Sequence, residues 1–158
     1  HAARTSILTT PLLDAARTVN ESVVSFVVNE CTQFSTPHNR PTRVLILGLA
    51  YKENIPDLRN SGSIKLACAL KDAGYQLQLH DPFLPPPLVI KELDMGVSDL
   101  STVNKPDIII VAVAHSYYAE NGWDLIQKLF EFEPGTVFDI KRLLPREATP
   151  ANIKLWRL

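Results

Sequence analysis

The chain has 158 residues, of which 46% are hydrophobic and 21% charged, and its formal net charge is −1. These values are typical of one globular domain that is large enough to bury a core. A nearly neutral chain offers no broad basic surface to nucleic acid or to an anionic membrane, so an anion site would have to be local. The sequence also has no apolar run of about 18 residues that would span a membrane, and no signal-peptide pattern.

The first predicted element is a long amphipathic helix. Thr10 and Pro11 are a good helix start, with a hydroxyl at the N-cap and proline at the first helical position. Apolar residues then recur at three- and four-residue steps from Leu12 to Phe34, which predicts a helix of roughly twenty-odd residues. Its apolar stripe needs a cover. A second copy of the helix would provide one, and so would the domain's own body or another part of a longer protein.

After a break at residues 35–41, strand-like and helix-like segments alternate. The predicted strands are Arg43–Ala50, Gln76–His80, Asp107–Val113 and Thr136–Ile140, with a possible edge strand at Ile153–Leu158, and the predicted helices are Ser63–Ala73, Leu88–Leu93 and Trp123–Phe132. This alternation is typical of a parallel sheet with crossover helices. The pattern therefore predicts an α/β fold, a Rossmann-like three-layer parallel sheet preceded by a long N-terminal helix.

The loop after the first strand, residues 52–62, is the most informative segment. In open α/β sheets, ligands bind at the carboxyl ends of the strands. A dinucleotide site would place a G-x-G-x-x-G turn here, but the chain offers only Gly48 and then a polar loop with Lys52, Asp57 and Arg59. This composition favours an anion held by side chains, with Asp57 orienting one of the two cations. A solvated loop with surface charges is the alternative.

Three further candidates follow later strands at the same edge of the predicted sheet. Lys141 and Arg142 come after the last core strand, so four cationic side chains from two loops would form a diphosphate site, although Arg142 could be a plain surface charge. His115 is the only one of the four histidines at such a position. It would contact a ligand or cap the segment that follows.

Other polar residues have simpler interpretations. Asp81 stands where a dinucleotide fold has its ribose-binding acid, but without the glycine motif an Asp-Pro turn is the favoured reading. Ser61 and Ser63 either line an anion site or cap a helix. Cys31 and Cys68 lie in helical apolar patterns, which predicts buried free thiols. Because no histidines and cysteines cluster at metal-ligand spacing, we predict no metal.

Residues 48–61 read Gly-Leu-Ala-Tyr-Lys-Glu-Asn-Ile-Pro-Asp-Leu-Arg-Asn-Ser. They resemble the G-L-A-[FY]-K-x-[ND]-x-x-D-x-R-x-S signature that opens the C-terminal domain of the UDP-glucose/GDP-mannose dehydrogenase family. The similarity continues in order through residues 80–82, 113–115 and 138–142, and reaches upstream into residues 11–21. Ile55 and Lys141 resemble the UDP-N-acetylmannosamine dehydrogenase branch, whereas Pro56, Asn60 and Gly62 depart from the family pattern.

The resemblance implies a domain arrangement and a reaction. Residues 1–36 would be the C-terminal part of a central dimerisation helix that forms a homodimer, and residues 40–158 a Rossmann-like nucleotide-sugar-binding domain. The enzyme would be a cytoplasmic, NAD-dependent dehydrogenase that oxidises the C6 alcohol of a UDP-sugar to a carboxylate for polysaccharide biosynthesis. It would have no nucleic-acid or membrane partner.

The resemblance also implies roles for individual residues. Lys52 would contact the reacting end of the sugar, Arg59 would lie towards the nicotinamide and the phosphates, and a basic residue at Lys141 or Arg142 would reach the substrate. The sequence has neither the glycine-rich NAD motif nor the G-G-H-C motif with the nucleophilic cysteine. We therefore expect a piece of a longer protein with no catalytic residue of its own, which is inactive alone and leaves NAD mainly to the missing N-terminal half. The alternative is a non-catalytic nucleotide-sugar-binding or dimerisation module.

Overall fold

A computed structural model describes residues 11–35 and 39–158, with side chains in these ranges except for residues 11–21 and Glu92. The predicted N-cap at Thr10 and the middle of the predicted linker lie outside the described residues. The helices are α1 (Pro11–Phe34), α2 (Gly62–Asp72), α3 (Pro86–Leu93) and α4 (Ser116–Leu129), and the strands are β1 (Arg43–Leu47), β2 (Gln76–His80), β3 (Ile108–Val111), β4 (Gly135–Asp139) and β5 (Ile153–Trp156). A short 3₁₀ helix, Arg146–Ala148, precedes β5.

The five strands form one parallel sheet in the order β2-β1-β3-β4-β5. The predicted α/β fold with a parallel sheet is therefore confirmed, and the tail does supply an edge strand. Side chains of the central strands alternate between two apolar clusters, as expected of strands that are covered on both faces. Val44 and Ile46 of β1 lie in one cluster, whereas Leu45 and Leu47 lie in the other.

Helices cover both faces of the sheet and make it the middle of three layers. The first cluster contains Val27 of α1, Leu66 of α2 and Val89 of α3, and the second contains Trp123 and Ile126 of α4. The connection after β1 thus runs to one face, and the connection after β3 runs to the other. Ligand crevices of doubly wound sheets form where neighbouring connections diverge in this way. The carboxyl ends of β1 and β3 are such a point.

Two elements differ from their predicted bounds. Strand β1 ends at Leu47 because the next residue, Gly48, has a φ of 91° and leaves the strand. Helix α4 begins at Ser116, seven residues before the predicted start. Gly122 interrupts it with φ 46° and ψ −136°, which breaks the periodicity that a sequence pattern would register.

The described part of α1 packs on the domain's own body. Val27 and Cys31 are buried in the first cluster. Phe26 lies 5.9 Å from the ring of Trp156, whose indole N–H donates to Glu30 over 2.9 Å. From residue 22 onward the apolar stripe is thus largely covered within the chain, and the homodimer stays a prediction.

The two cysteines differ in exposure, and the prediction of two buried thiols was wrong for one of them. Cys31 is buried between α1 and the sheet, whereas Cys68 is exposed on α2. A helical apolar pattern does not separate a fully buried face from its boundary, which explains the error. None of the described helices combines the length and apolar character that a membrane crossing needs.

Candidate functional site

Four loops meet at the carboxyl-terminal edge of the sheet, and the one after β1, residues 48–61 (the β1 loop), is the longest. Its first residue, Gly48, lies against Val113, which follows β3. A Cβ at this position would be 2.5 Å from the Cβ of Val113 and 2.9 Å from its backbone nitrogen. The glycine is therefore required by the close approach of two chain segments and by its positive φ. It does not form part of a phosphate-binding turn.

Asp81 anchors the start of the β1 loop. Its Oδ2 accepts hydrogen bonds from the backbone N–H groups of Leu49 (2.7 Å) and Ala50 (3.0 Å), while its Oδ1 accepts from those of Phe83 (2.9 Å) and Leu84 (3.2 Å). The predicted Asp-Pro turn is present, but the carboxylate also fixes the neighbouring loop. Burial by itself would raise the pKa of Asp81, yet hydrogen bonds from His115 and from backbone N–H groups outweigh it, and the pKa lies below its usual value.

His115 joins Asp81 to the middle of the β1 loop. Its side chain is fully buried; Nε2 lies 3.0 Å from Asp81 Oδ2, and Nδ1 accepts from the backbone N–H of Asn54 over 2.9 Å. Because Nδ1 accepts, the ring carries its hydrogen on Nε2 and donates it to Asp81. Both ring nitrogens are occupied, so the geometry favours a positioning role over the predicted ligand contact.

Asn54 connects the β1 loop to α4. It has a left-handed backbone, with φ 59°, a conformation that asparagine tolerates better than most residues. Its side-chain oxygen accepts from both the backbone N–H (2.9 Å) and the hydroxyl (3.1 Å) of Ser116. His115 itself makes no side-chain capping bond at the start of this helix, so Asn54 supplies the cap from 62 residues away.

The end of the β1 loop is held by the cap of α2. The hydroxyl of Ser61 donates to the carbonyl of Leu49 (2.6 Å) and accepts from the N–H groups of Ser63 (3.1 Å) and Ile64 (3.4 Å). Ser61 therefore closes the loop on itself and caps the helix, which is the simpler of its two predicted roles. Its own oxygen faces the helix N–H groups that an anion would otherwise contact.

The two cations of the β1 loop differ in how they are held. Arg59 makes a two-pronged pair with Asp57, through Nη2 to Oδ2 at 2.7 Å and Nε to Oδ1 at 3.0 Å. Hydrogen bonds from Arg59 lower the pKa of Asp57 to about 2. The Arg59 side chain is still 87% exposed, so it is oriented and accessible. Lys52 is exposed, and its ammonium makes no hydrogen bond or ion pair with any described residue.

A shallow groove of about 500 Å³ runs along the second half of the β1 loop. It is lined by residues 56–61 together with Ile64, Lys65 and Leu88. Arg59 and Lys65 give the groove two cationic side chains, and Asp57 gives it one carboxylate. The groove thus extends the candidate site from the loop to the start of α2.

The loop after β4, residues 140–145 (the β4 loop), carries the other predicted cations. It is anchored by Asp139, a fully buried residue that sequence reasoning missed. The Asp139 carboxylate accepts from the backbone N–H groups of Leu143 (2.9 Å) and Leu144 (3.0 Å) and pairs with Arg157 at 3.1 Å. The sequence feature that could have identified Asp139 as a loop anchor is its position at the end of an apolar strand.

The β4 loop presents Lys141 and Arg142 differently. Lys141 is exposed, and its ammonium makes no hydrogen bond or ion pair with any described residue. Arg142 has φ 55° and donates through Nη2 to the carbonyl of Leu158 over 2.9 Å. Strands β1 and β4 are separated only by β3, so their ends lie roughly 10 Å apart. The fold therefore brings all four predicted cations to one edge, on two loops.

The edge does not fit a dinucleotide cofactor. Gly48 serves chain packing, and the Asp81 carboxylate, the equivalent of a ribose-binding acid, already accepts five hydrogen bonds. The Asp81 carboxylate is therefore committed to holding the loops and offers no free oxygen to a ribose hydroxyl. Within residues 11–35 and 39–158, no three His, Cys, Asp or Glu side chains are grouped so as to hold a metal ion.

Comparison with known proteins identifies relatives that are about three times as long. The chain is 28% identical to the protein CapL of Staphylococcus aureus over 147 residues, which cover 91% of this chain and 34% of CapL. It is 30% identical to UDP-N-acetyl-D-glucosamine 6-dehydrogenase of Pseudomonas aeruginosa over 144 residues, 88% of this chain and 33% of the enzyme. The chain thus spans about a third of the length of these relatives.

Solved structures agree on the fold. UDP-D-ManNAc dehydrogenase of Pyrococcus horikoshii superposes with a TM-score of 0.72 at 20% identity, over 97% of this chain and 34% of that one. Residues 45–146, more than half of the chain, match the model of the UDP-glucose/GDP-mannose dehydrogenase family, UDP binding domain. The predicted resemblance is confirmed, and the chain belongs to the UDP-glucose/GDP-mannose dehydrogenase family.

Proposed function

We propose that this chain is the UDP-sugar-binding part of an NAD-dependent nucleotide-sugar 6-dehydrogenase, which oxidises a C6 alcohol to a carboxylate for polysaccharide biosynthesis in the cytoplasm. One observation supports this proposal most directly. The match to a UDP binding domain covers the β1 loop and the β4 loop, and these two loops hold the four cationic side chains predicted to bind the ligand. A UDP-sugar supplies a diphosphate for such an edge, and its oxidation creates a carboxylate.

The four cations have distinct proposed tasks. Lys52, a compact point charge without a partner among the described side chains, faces the reacting end of the sugar and the carboxylate product. Lys141 and Arg142 contact the diphosphate, for which the planar guanidinium can make two parallel bonds. Arg59, held in place by Asp57, serves the phosphates and the region near the nicotinamide.

The chemical step is assigned to a part of the enzyme outside this chain. Cys31 is buried, and burial raises the pKa of its thiol to about 12, so it stays protonated at neutral pH and is a poor nucleophile. Cys68 lies in the middle of α2 and not in a loop of the edge. The carboxyl-terminal edge also lacks the glycine-rich turn of an NAD site. The isolated chain is therefore expected to be inactive, with NAD bound mainly elsewhere.

Ligand titration of the chain tests the proposal. UDP should bind more tightly than NAD, and the affinity should fall in the double variant Lys52→Ala with Lys141→Ala. Lys128→Ala is the matched control, because Lys128 is exposed in the last turn of α4, at the opposite edge of the sheet. Tighter binding of NAD, or an unchanged UDP affinity in the double variant, would refute the assignment.

We further propose that residues 1–36 are the C-terminal part of a central dimerisation helix and residues 40–158 the nucleotide-sugar-binding domain. Val23 packs partly against the core, whereas Phe26 is 47% exposed. Phe26→Glu is therefore the sharper probe of a homodimer, since it disturbs the outer surface of α1 more than the core. Sedimentation should show a dimer that becomes a monomer in this variant. A monomeric wild-type chain would contradict the proposal.

A further inference from the structure

Lys52 lies midway between two anchor points of the β1 loop. Two residues before it, the N–H of Ala50 is held by Asp81 Oδ2 at 3.0 Å. Two residues after it, the N–H of Asn54 is held by His115 Nδ1 at 2.9 Å. The segment that carries the lysine is therefore a short bridge between two fixed amides. No described residue forms a hydrogen bond or ion pair with the ammonium itself, so the backbone is what positions it.

The two anchors are one hydrogen-bonded network. His115 Nε2 donates to the same Asp81 oxygen that receives the Ala50 N–H. We propose that Asp81, His115 and Asn54 are positioning residues, which hold the β1 loop in the shape that presents Lys52 to an anionic ligand. The part of this inference that concerns ligand binding rests on the proposed function.

The direction of every hydrogen bond in the network is defined. Asp81 can only accept, so His115 donates from Nε2 and is left with a bare Nδ1, which accepts from Asn54. The side-chain oxygen of Asn54 then accepts from the N–H and hydroxyl of Ser116. Aligned bonds of this kind strengthen one another, and an unpaired member would be costly in a buried site. The network thus selects one conformation of the loop.

Aromatic side chains pack around His115 and bury its imidazole. Its ring lies 5.0 Å from the ring of Phe83 and 5.7 Å from that of Tyr118. The hydroxyl of Tyr118 is itself committed, donating to the carbonyl of His80 over 2.9 Å. The imidazole is fully shielded from solvent and links the segments that follow β1, β2 and β3.

The first test compares two replacements of His115. In His115→Gln, the amide can donate to Asp81 and accept from Asn54, whereas His115→Leu fills the site without either bond. Hydrogen exchange of the Ala50 and Asn54 amides should become at least about tenfold faster in the leucine variant, since a lost bond exposes the loop to local opening. The glutamine variant should restore most of the protection. Equal protection in wild-type protein and the leucine variant would overturn the proposal.

The second test uses Asn54→Gly, which keeps the left-handed backbone but removes both bonds to Ser116. Amides of the β1 loop should exchange about tenfold faster, while the melting temperature changes little. Asp94→Gly is the matched control, because Asp94 also has a left-handed backbone, with φ 52°, and ends α3. Unchanged loop exchange in Asn54→Gly, or an equal change in the control, would overturn the proposal.

A spectroscopic measurement is independent of both variants. Two-bond ¹H–¹⁵N NMR spectra of the wild-type chain should show His115 with a protonated Nε2 and a bare Nδ1. The opposite tautomer would overturn the network.

UDP titration then separates the positioning role from the proposed function. The affinity for UDP should fall about three- to tenfold in Asn54→Gly. If the loop loosens but wild-type protein does not bind UDP, the positioning role stands and the proposed function fails. If UDP binds equally to a loosened variant, the positioning role fails.

Discussion

The β1 loop and the β4 loop each keep their shape through one buried carboxylate, but different groups balance the two charges. Asp81 reaches across from the end of β2 and is surrounded by backbone N–H groups and the imidazole of His115. Asp139 lies at the end of β4 itself and is paired with the guanidinium of Arg157, which also donates to the carbonyl of Leu144. One anchor relies on oriented dipoles and the other on an ion pair.

This difference has a consequence for the cations that the loops carry. The β1 loop is fixed by side chains that follow β2 and β3 as well as by its own Ser61, so its shape depends on neighbouring loops of the carboxyl-terminal edge. The β4 loop is fixed by its own strand and by the segment after β5. We therefore expect the β1 loop to need its hydrogen-bond network in order to orient Lys52. The β4 loop should tolerate substitutions better.

The largest expected effect is that of removing the charge of Asp81. In Asp81→Asn, the amide nitrogen has to face backbone N–H donors on one side or the other. At least two donors then lose their acceptor, at about 1–3 kcal/mol each. Urea unfolding should show a loss of about 3 kcal/mol or more.

The control for this variant is Asp124→Asn at an exposed position of α4, which should change the free energy of unfolding by less than about 0.5 kcal/mol. If the two variants were equally stable, the dipole network around Asp81 would contribute nothing to the fold.

The second prediction compares the loops by function, in the full-length enzyme of which we propose this chain is a part. The C6 alcohol is neutral, and negative charge develops there only as the reaction proceeds. Lys52→Ala should therefore lower kcat, by roughly a hundred- to a thousandfold or about 2.7–4 kcal/mol. The diphosphate is charged throughout, so Lys141→Ala should raise KM with little change in kcat. Steady-state kinetics would reveal an exchange of roles if the two patterns were reversed.

The sheet could be predicted from the sequence because its signals are local. An uninterrupted apolar run such as Ile108–Val111 marks a central strand, and loop residues that follow a strand must lie at the carboxyl edge. This reasoning located Lys52, Arg59 and Lys141 correctly at one edge. The family followed from residues 48–61, whose motif is long enough to be specific.

What the sequence did not reveal depends on contacts between distant residues. Asn54 caps a helix that starts 62 residues later, and this helix has no capping side chain of its own, so its first seven residues were missed. Asp139 and Arg157 likewise find each other only in the folded sheet. His115 was expected at the edge, and it is there, but only the structure shows that both ring nitrogens are already occupied.

A smaller effect is expected from the ion pair of the β4 loop. Arg157 is 17% exposed, and its Nη2 donates to Asp139. Arg157→Met removes a charge-assisted bond but leaves Asp139 two backbone donors, so the free energy of unfolding should fall by about 1.5–3 kcal/mol. The exposed Arg146→Met is the control. Chemical denaturation that showed no difference between the two variants would mean that the backbone bonds alone hold the loop.

The smallest expected effect is a loss of stability at acid pH that is caused by the two carboxylates of the β1 loop network, Asp81 and Asp57. The pKa of Asp81 is lower in the folded chain than its ordinary value of 3.8, and Arg59 lowers that of Asp57 to about 2. As the pH falls below about 5, the unfolded chain takes up these protons first, so stability is lost as the pH falls through the folded pKa. Because Asp57 is partly exposed and screened, its contribution to the pH dependence of stability should be the smaller one.

Urea midpoints measured from pH 7 to pH 3 should therefore decline less steeply in Asp81→Asn, and slightly less steeply in Asp57→Asn, than in wild-type protein. Parallel curves for all three would show that neither carboxylate gains its interactions on folding, and the contrast between the two loops would then lie in geometry and not in charge.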